Sequence, residues 1–170
     1  MKRHESLYAL SRDHHHALVQ ARNLSLAAVA NDPDSLAQAA AHFASFWKSD
    51  LQAHFSQEEQ IVLPLLAKHA SPDTDEIGET LRQHAEITRL IAELTDKLAR
   101  REMIEANLLD VLGESVRRHI RFEESELFPA VEASVPEEEL WQMNEQLAEA
   151  RSRTERDGCS LSPKTSTTEA

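Results

Sequence analysis

A chain of 170 residues has room for one domain with a core of ordinary size. Its 18 basic against 30 acidic residues leave a formal net charge of −12, which repels phosphate backbones and argues against nucleic acid as a partner. Nine histidines, three glycines and the single Cys159 describe a helix-prone chain without an intrachain disulfide or a cysteine zinc site.

In chain order, the apolar pattern predicts a first helix from about Ser6 to Val29, where Leu7, Leu10, Ala17, Leu18, Ala21 and Leu24 recur at threes and fours. The Asn31-Asp32-Pro33-Asp34 cluster ends it and starts a second, from about Ser35 to His69, with Phe43, Trp47, Leu51, Ile61 and Leu65 on one stripe. After the break at Ser71-Pro72-Asp73, a third helix is expected from about Thr74 to Arg100, its seam Ile77, Leu81, Ile87, Leu94 and Leu98. A fourth starts near Glu105 and carries Leu108, Leu112, Val116, Phe122 and Leu127. Short connections favour antiparallel neighbours, so the expected fold is all-α, an up-down-up-down antiparallel four-helix bundle. A short extra C-terminal helix, about Pro136 to Arg153, has Leu140, Met143 and Leu147 spaced to pack on the bundle. Residues 154–170, rich in Ser and Thr, read as a disordered tail. No apolar run approaches the ~18–20 residues of a membrane span, and Met1-Lys-Arg-His-Glu5 does not lead into a signal sequence, so no membrane partner and a cytoplasmic location are expected.

Inside the second and fourth helices the chain repeats itself. His54-Phe-Ser-Gln-Glu58-Glu59 runs on to Pro64, and 65 residues later His119-Ile-Arg-Phe-Glu123-Glu124 runs on to Pro129. Residues four apart share a helix face, and at about 100° per residue His54 and Glu58 fall in phase with Trp47 and Leu51, and His119 and Glu123 with Leu112 and Val116. The same phase places His14 with Leu7, Leu10 and Leu18, and His84 with Ile77, Leu81 and Ile87. Each of the four helices thus aims one histidine inward. A carboxylate on an apolar stripe is costly to desolvate unless it is paired or bound to a metal. Glu59 and Glu124 are rotated away, onto a solvated face or into an outer contact around the site; His42 is expected in solvent, and His4 and His69 at helix ends as surface or capping residues. Pro64 and Pro129 are expected to kink their helices beyond the site, without a functional role. Four imidazoles and two carboxylates without a thiolate suit iron, manganese or zinc, and carboxylates able to bridge favour two ions.

These residues, in this order, resemble the hemerythrin-like, or HHE cation-binding, domain. The resemblance covers about residues 6 to 133, and Leu10-Ser-Arg-Asp-His14 followed by Ala17-Leu18 is similar to the family's first helix. It implies a metal-binding bundle over residues 1–153 that holds two non-heme iron ions, oxo- or hydroxo-bridged, with Glu58 and Glu123 as bridging carboxylates and His14, His54, His84 and His119 as terminal ligands. His15 is a further candidate ligand on the first helix. The implied function is to bind or sense a small ligand such as oxygen, nitric oxide or peroxide, or iron itself; a di-iron redox enzyme or an iron donor for repair of iron centres is the alternative. Two departures stand out. Oxygen-carrying hemerythrins have two histidines four apart in the third helix, where this chain has Thr80 and Thr88 on either side of His84. Their last motif, HxxxxD, points to Glu124, whereas the second-helix copy points to Glu123. A ferritin-like carboxylate centre is disfavoured, since no histidine has a Glu three residues before it.

Overall fold

The computed structural model describes residues 3–71 and 73–160; Pro72 and the end of the expected tail, 161–170, lie outside the described residues. A 3-10 turn, Glu5–Leu7, leads into α1, Tyr8–Ala30. The long α2 is built from Pro33–Phe46, a π turn Trp47–Leu51, Gln52–Gln57, a second π turn Glu58–Val62, and Leu63–His69. Then come α3, Asp75–Arg100, and α4, made of Ala106–Phe122, a π turn Glu123–Leu127 and Phe128–Ser134. The last helix, α5, spans Glu137–Ser160 and so continues past Arg153, where its apolar pattern stops. Each of the first four helices packs on the next and α4 closes the ring against α1, the up-down-up-down bundle expected from the short connections. Asn31, with φ 51°, ends α1, and the Asp32 carboxylate caps the next helix by accepting from Ser35 N–H at 2.9 Å, with Pro33 in its first turn.

Three of the joints are π turns, and they have consequences for helical phase. Leu63 N–H donates to Glu58 C=O and Phe128 N–H to Glu123 C=O, five residues back in each case. A π turn takes one residue more than an α turn, so the inward stripe slips by one position beyond it. In α2 the buried residues from the end of the turn onward are Val62, Leu63 and Leu66, whereas uniform 3.6-residue phase points to Ile61 and Leu65, which are only partly buried. Proline, with no N–H and a ring that crowds the preceding turn, follows directly at Pro64 and Pro129. The prolines therefore adjoin wide turns that begin at the duplicated glutamates.

The apolar core is in two parts. One cluster includes Ala17, Phe43, Phe55, Ile87, Leu112 and Val116; the other includes Leu10, Val62, Ile77, Leu127 and Phe128, and is covered by Leu140, Met143 and Leu147 of α5. Between them every helix of the bundle places a buried polar residue: His14, His54 with Glu58, His84, and His119 with Glu123. Leu18 and Leu81, expected on the inward stripes, are 38% and 44% exposed. The inward line of α1 runs through Leu10, His14, Ala17 and Ala21, and that of α3 through Ile77, Thr80, His84 and Ile87, which leaves each leucine one position too far round.

The crossing of α1 and α4 is close because Gly113 lies in it. A Cβ at Gly113 would meet Ala21 C=O at 2.9 Å and Ser25 Oγ at 3.2 Å, and Arg117 Nη1 donates to the same two oxygens at 3.2 and 2.9 Å. Gly113→Ala should destabilise the protein by about 1–2 kcal/mol, because the clash is with backbone and outweighs the roughly 1 kcal/mol of helix propensity that alanine gains. Urea unfolding checks this; a variant as stable as the parent would mean that the two helices separate freely.

Candidate metal centre

The polar layer between the two clusters is built from the duplicated motifs. Glu58 and Glu123 are 0% exposed, and His14, His54, His84 and His119 at most 2%. Glu58 Oε1 lies 3.2 Å from His54 Nε2 and 3.9 Å from His14 Nε2, while its Oε2 lies 3.3 Å from His84 Nε2. Glu123 Oε2 lies 3.0 Å from His14 Nε2 and 3.3 Å from His119 Nε2, and its Oε1 3.7 Å from His84 Nε2. The donors form two groups: His14, His54, Glu58 and Glu123 in one, Glu58, His84, His119 and Glu123 in the other, with ligand atoms within 4.8 Å of one another in each. The two glutamates belong to both groups.

Behind each imidazole stands an acceptor for its other nitrogen. His14 Nδ1 is 2.7 Å from Glu124 Oε1, His84 Nδ1 2.7 Å from Glu59 Oε1, His54 Nδ1 3.3 Å from Asp13 Oδ2, and His119 Nδ1 3.2 Å from Gln83 Oε1. These partners fix the tautomer: an Nδ1–H donated outward leaves the Nε2 lone pair facing the centre. His14 Nε2 and His54 Nε2 then face each other at 3.1 Å, two lone pairs in contact unless a proton or a metal ion lies with them. Four carboxylate oxygens, of Glu58 and Glu123, and the Nε2 atoms of His84 and His119 are buried without a hydrogen-bond partner among the described residues. Polar atoms are rarely left so, and this donor set converging on one small volume fits metal ions of the harder, nitrogen- and oxygen-loving kind. Aromatic rings pack the sides: Phe55 stacks on His84 with centroids 3.8 Å apart, and Phe128 lies parallel to His14 at 5.3 Å.

Protonation follows the same geometry when no metal is bound. Burial opposes charge on His84, but Glu123 and Glu58 outweigh it and raise its pKa to about 10. His14 and His54 are also raised against the cost of burial, by Glu123 and Glu124 and by Glu58 and Asp13 respectively. Burial lowers His119 to about 4, more than Glu123 restores. Burial would lift the two central carboxyls, and Glu58 adds to the lift on Glu123, yet the surrounding histidines hold both below the usual range. The centre thus keeps two anions and a partial set of protons, and an entering cation displaces those protons.

The six residues singled out by helical phase all converge here. His15 does not: it is exposed, its ring 6.2 Å from that of His16. Of the two candidate glutamates in the fourth helix, Glu123 is the inward one, while Glu124 takes the place behind His14. His42 is exposed, His4 Nδ1 accepts from Ser6 N–H at 3.2 Å, and His69 lies 3.0 Å from Glu139. Phase alone did not single out Asp13 and Gln83. Their signal is positional, since each immediately precedes an inward histidine just as Glu59 and Glu124 immediately follow an inward glutamate. The pattern is two-fold: α1 and α3 each supply a histidine and the acceptor before it, and α2 and α4 each supply His, Glu and the acceptor after it.

No curated protein matches the sequence. The chain does match the Hemerythrin HHE cation binding domain over residues 6–131, which takes in all six converging side chains. With most of its length so matched, and with two His/Glu groups at the heart of a four-helix bundle, the chain belongs to the hemerythrin HHE cation-binding family.

Proposed function

We propose that the protein holds two non-heme iron ions, one at His14 and His54 and the other at His84 and His119, with Glu58 and Glu123 shared, and that it binds or senses oxygen, nitric oxide or peroxide, or iron itself. The observation that carries this reading is the pair of fully buried carboxylates common to both donor groups. Zinc or manganese would suit the same donors, and metal content decides between them. Bound iron would supply redox chemistry and the capacity to take a small ligand. The side chains of this protein orient and protect. Glu124, Asp13 and Glu59 hold the Nδ1 protons of His14, His54 and His84 and strengthen the imidazoles as donors; Phe55 and Phe128 keep bulk water from the rings. A cleft of about 180 Å³, lined by Asp13, Ser49, Asp50, Ala53, His54, Gln57 and Arg151, opens beside His54 and offers a small molecule an approach. No nucleophile–base pair accompanies the centre among the described residues, and this reading favours binding and sensing over hydrolytic or transfer chemistry.

The third helix bears on what the centre does. Thr80 is fully buried on the inward line one turn before His84, with its hydroxyl donated to Glu76 C=O at 2.8 Å, whereas Thr88 is exposed. Thr80 is therefore where a fifth imidazole would enter, and a hydroxyl engaged elsewhere is no substitute for it. A centre short of that imidazole would favour reaction or sensing over reversible oxygen carriage.

Protein purified under air should contain about two irons per chain and show near-ultraviolet oxo–iron charge-transfer absorption; zinc alone, or no metal, would sink the di-iron reading. Glu58→Ala and Glu123→Ala should abolish binding of the metal pair, while Glu59→Ala and Glu124→Ala should weaken it by roughly 10-fold, as expected for losing a residue that orients a ligand; equal metal content in all four variants would contradict the assignment. The reduced protein should take up azide or nitric oxide readily and oxidise under oxygen, and Thr80→His should slow that oxidation, measured by the rise of the charge-transfer absorption. Many cycles of oxygen uptake and release by the native protein, without oxidation, would instead identify oxygen storage.

A further inference from the structure

The acceptors behind the four imidazoles are alike in placement and unlike in what holds them. Asp13, behind His54, is gripped by the Arg151 guanidinium through two contacts, Nη2 to Oδ2 at 2.6 Å and Nη1 to Oδ1 at 3.3 Å. Glu124, behind His14, accepts from Ser11 Oγ at 2.8 Å and from Arg3 Nη2 at 2.8 Å, and Arg3 Nη2 also binds the Glu124 backbone carbonyl at 2.7 Å. Arg3 is itself fixed: it lies 3.2 Å from Glu132, and its guanidinium sits 5.1 Å above the Phe128 ring that stacks on His14. Both histidines of one position are thus backed by carboxylates locked to arginines. The other position has neither lock. Glu59, behind His84, is 44% exposed and pairs among the described residues with that histidine alone, and the partner of His119 is the neutral amide of Gln83.

We infer that the two metal positions are unequal: Arg151, acting through Asp13, and Arg3, acting through Glu124, are positioning residues that make the His14–His54 position the tighter of the two. The inference rests on the di-metal reading above. An imidazole is a good ligand in proportion to how firmly its far nitrogen is held. A fork of two guanidinium hydrogen bonds fixes a carboxylate in direction as well as place, whereas an exposed glutamate spends much of its time solvated. The arginines also lie on either side of the family's own span, residues 6–131. Arg151 belongs to α5 and Arg3 to the segment before the first turn, so segments on both sides of that span jointly secure one ion, and the His84–His119 position is the one that exchanges or opens.

Cobalt(II), a spectroscopic stand-in for iron(II), tests this in the full-length protein by anaerobic titration against a competing chelator. His119→Ala leaves the His14–His54 position as the better site, and His54→Ala leaves the other. Arg151→Ala should weaken cobalt binding roughly 10-fold in the first background and leave it unchanged in the second, with Arg151→Lys intermediate because an ammonium cannot fork. In otherwise native protein, which keeps the test independent of how the histidine variants fold, titration should show two steps, with Arg151→Ala and Arg3→Ala each shifting the tighter one alone. Equal losses in both backgrounds, an unchanged tight step, or Arg151→Ala acting on the His54→Ala protein would overturn the inference while leaving the di-metal reading intact. Failure of native protein to bind two ions would instead remove that reading.

Discussion

Glu58 and Glu123 sit side by side without solvent exposure between two apolar clusters, and the rest of the bundle is arranged around the cost of putting them there. Burying one ionised carboxylate costs several kcal/mol after relaxation, and two adjacent ones repel besides. One histidine from each helix faces them, and each histidine is held from behind by an acceptor, so that compensation reaches the surface in two steps. The apolar clusters above and below need only fill space; the polar layer needs every member in place, since a half-satisfied buried network is worse than none. This explains why the most specific residues of the chain are confined to one level of the bundle.

Much of this level was legible in the amino-acid sequence. Histidines in phase with Leu10, Leu51, Ile77 and Val116, and glutamates duplicated at the same offset, pointed to the six side chains that converge, because helical phase is local and survives from sequence to structure. Phase also misled where the helix is not α. Ile61 and Leu65 were expected inside, and the π turn at Glu58–Val62 moved that place to Val62 and Leu66. Leu18 and Leu81 were read inward because uniform periodicity cannot resolve one position at the edge of a stripe. Asp13 and Gln83 carry only the positional hint of standing before an inward histidine, and Arg3 and Arg151 carry none: the histidines and carboxylates they meet lie 36 to 138 residues away in the chain, and no local pattern encodes which polar residue on one helix will meet which histidine on another.

The two-fold pattern of the centre makes its one exception informative. Asp13 and Gln83 hold corresponding places, before the inward histidines of α1 and α3, yet one is an anion paired with Arg151 and the other an amide that donates onward to Glu79. The bundle has kept the geometry of both halves and varied the charge. His119 is the least basic of the four imidazoles, because burial lowers it more than Glu123 restores and the neighbouring His84 lowers it further.

The prolines that follow the π turns have a role that sequence alone did not suggest. A wide turn in an unbroken helix is mobile in principle: if each N–H exchanges its acceptor five residues back for the one four back, the extra residue travels along the rod like a fold in a carpet. Onward travel from Glu58–Val62 or Glu123–Leu127 would require an N–H at position 64 or 129, and proline has none to offer. The bulge is thereby barred from moving past the proline. Each of these two helices carries a mechanical stop on the proline side of its buried acid.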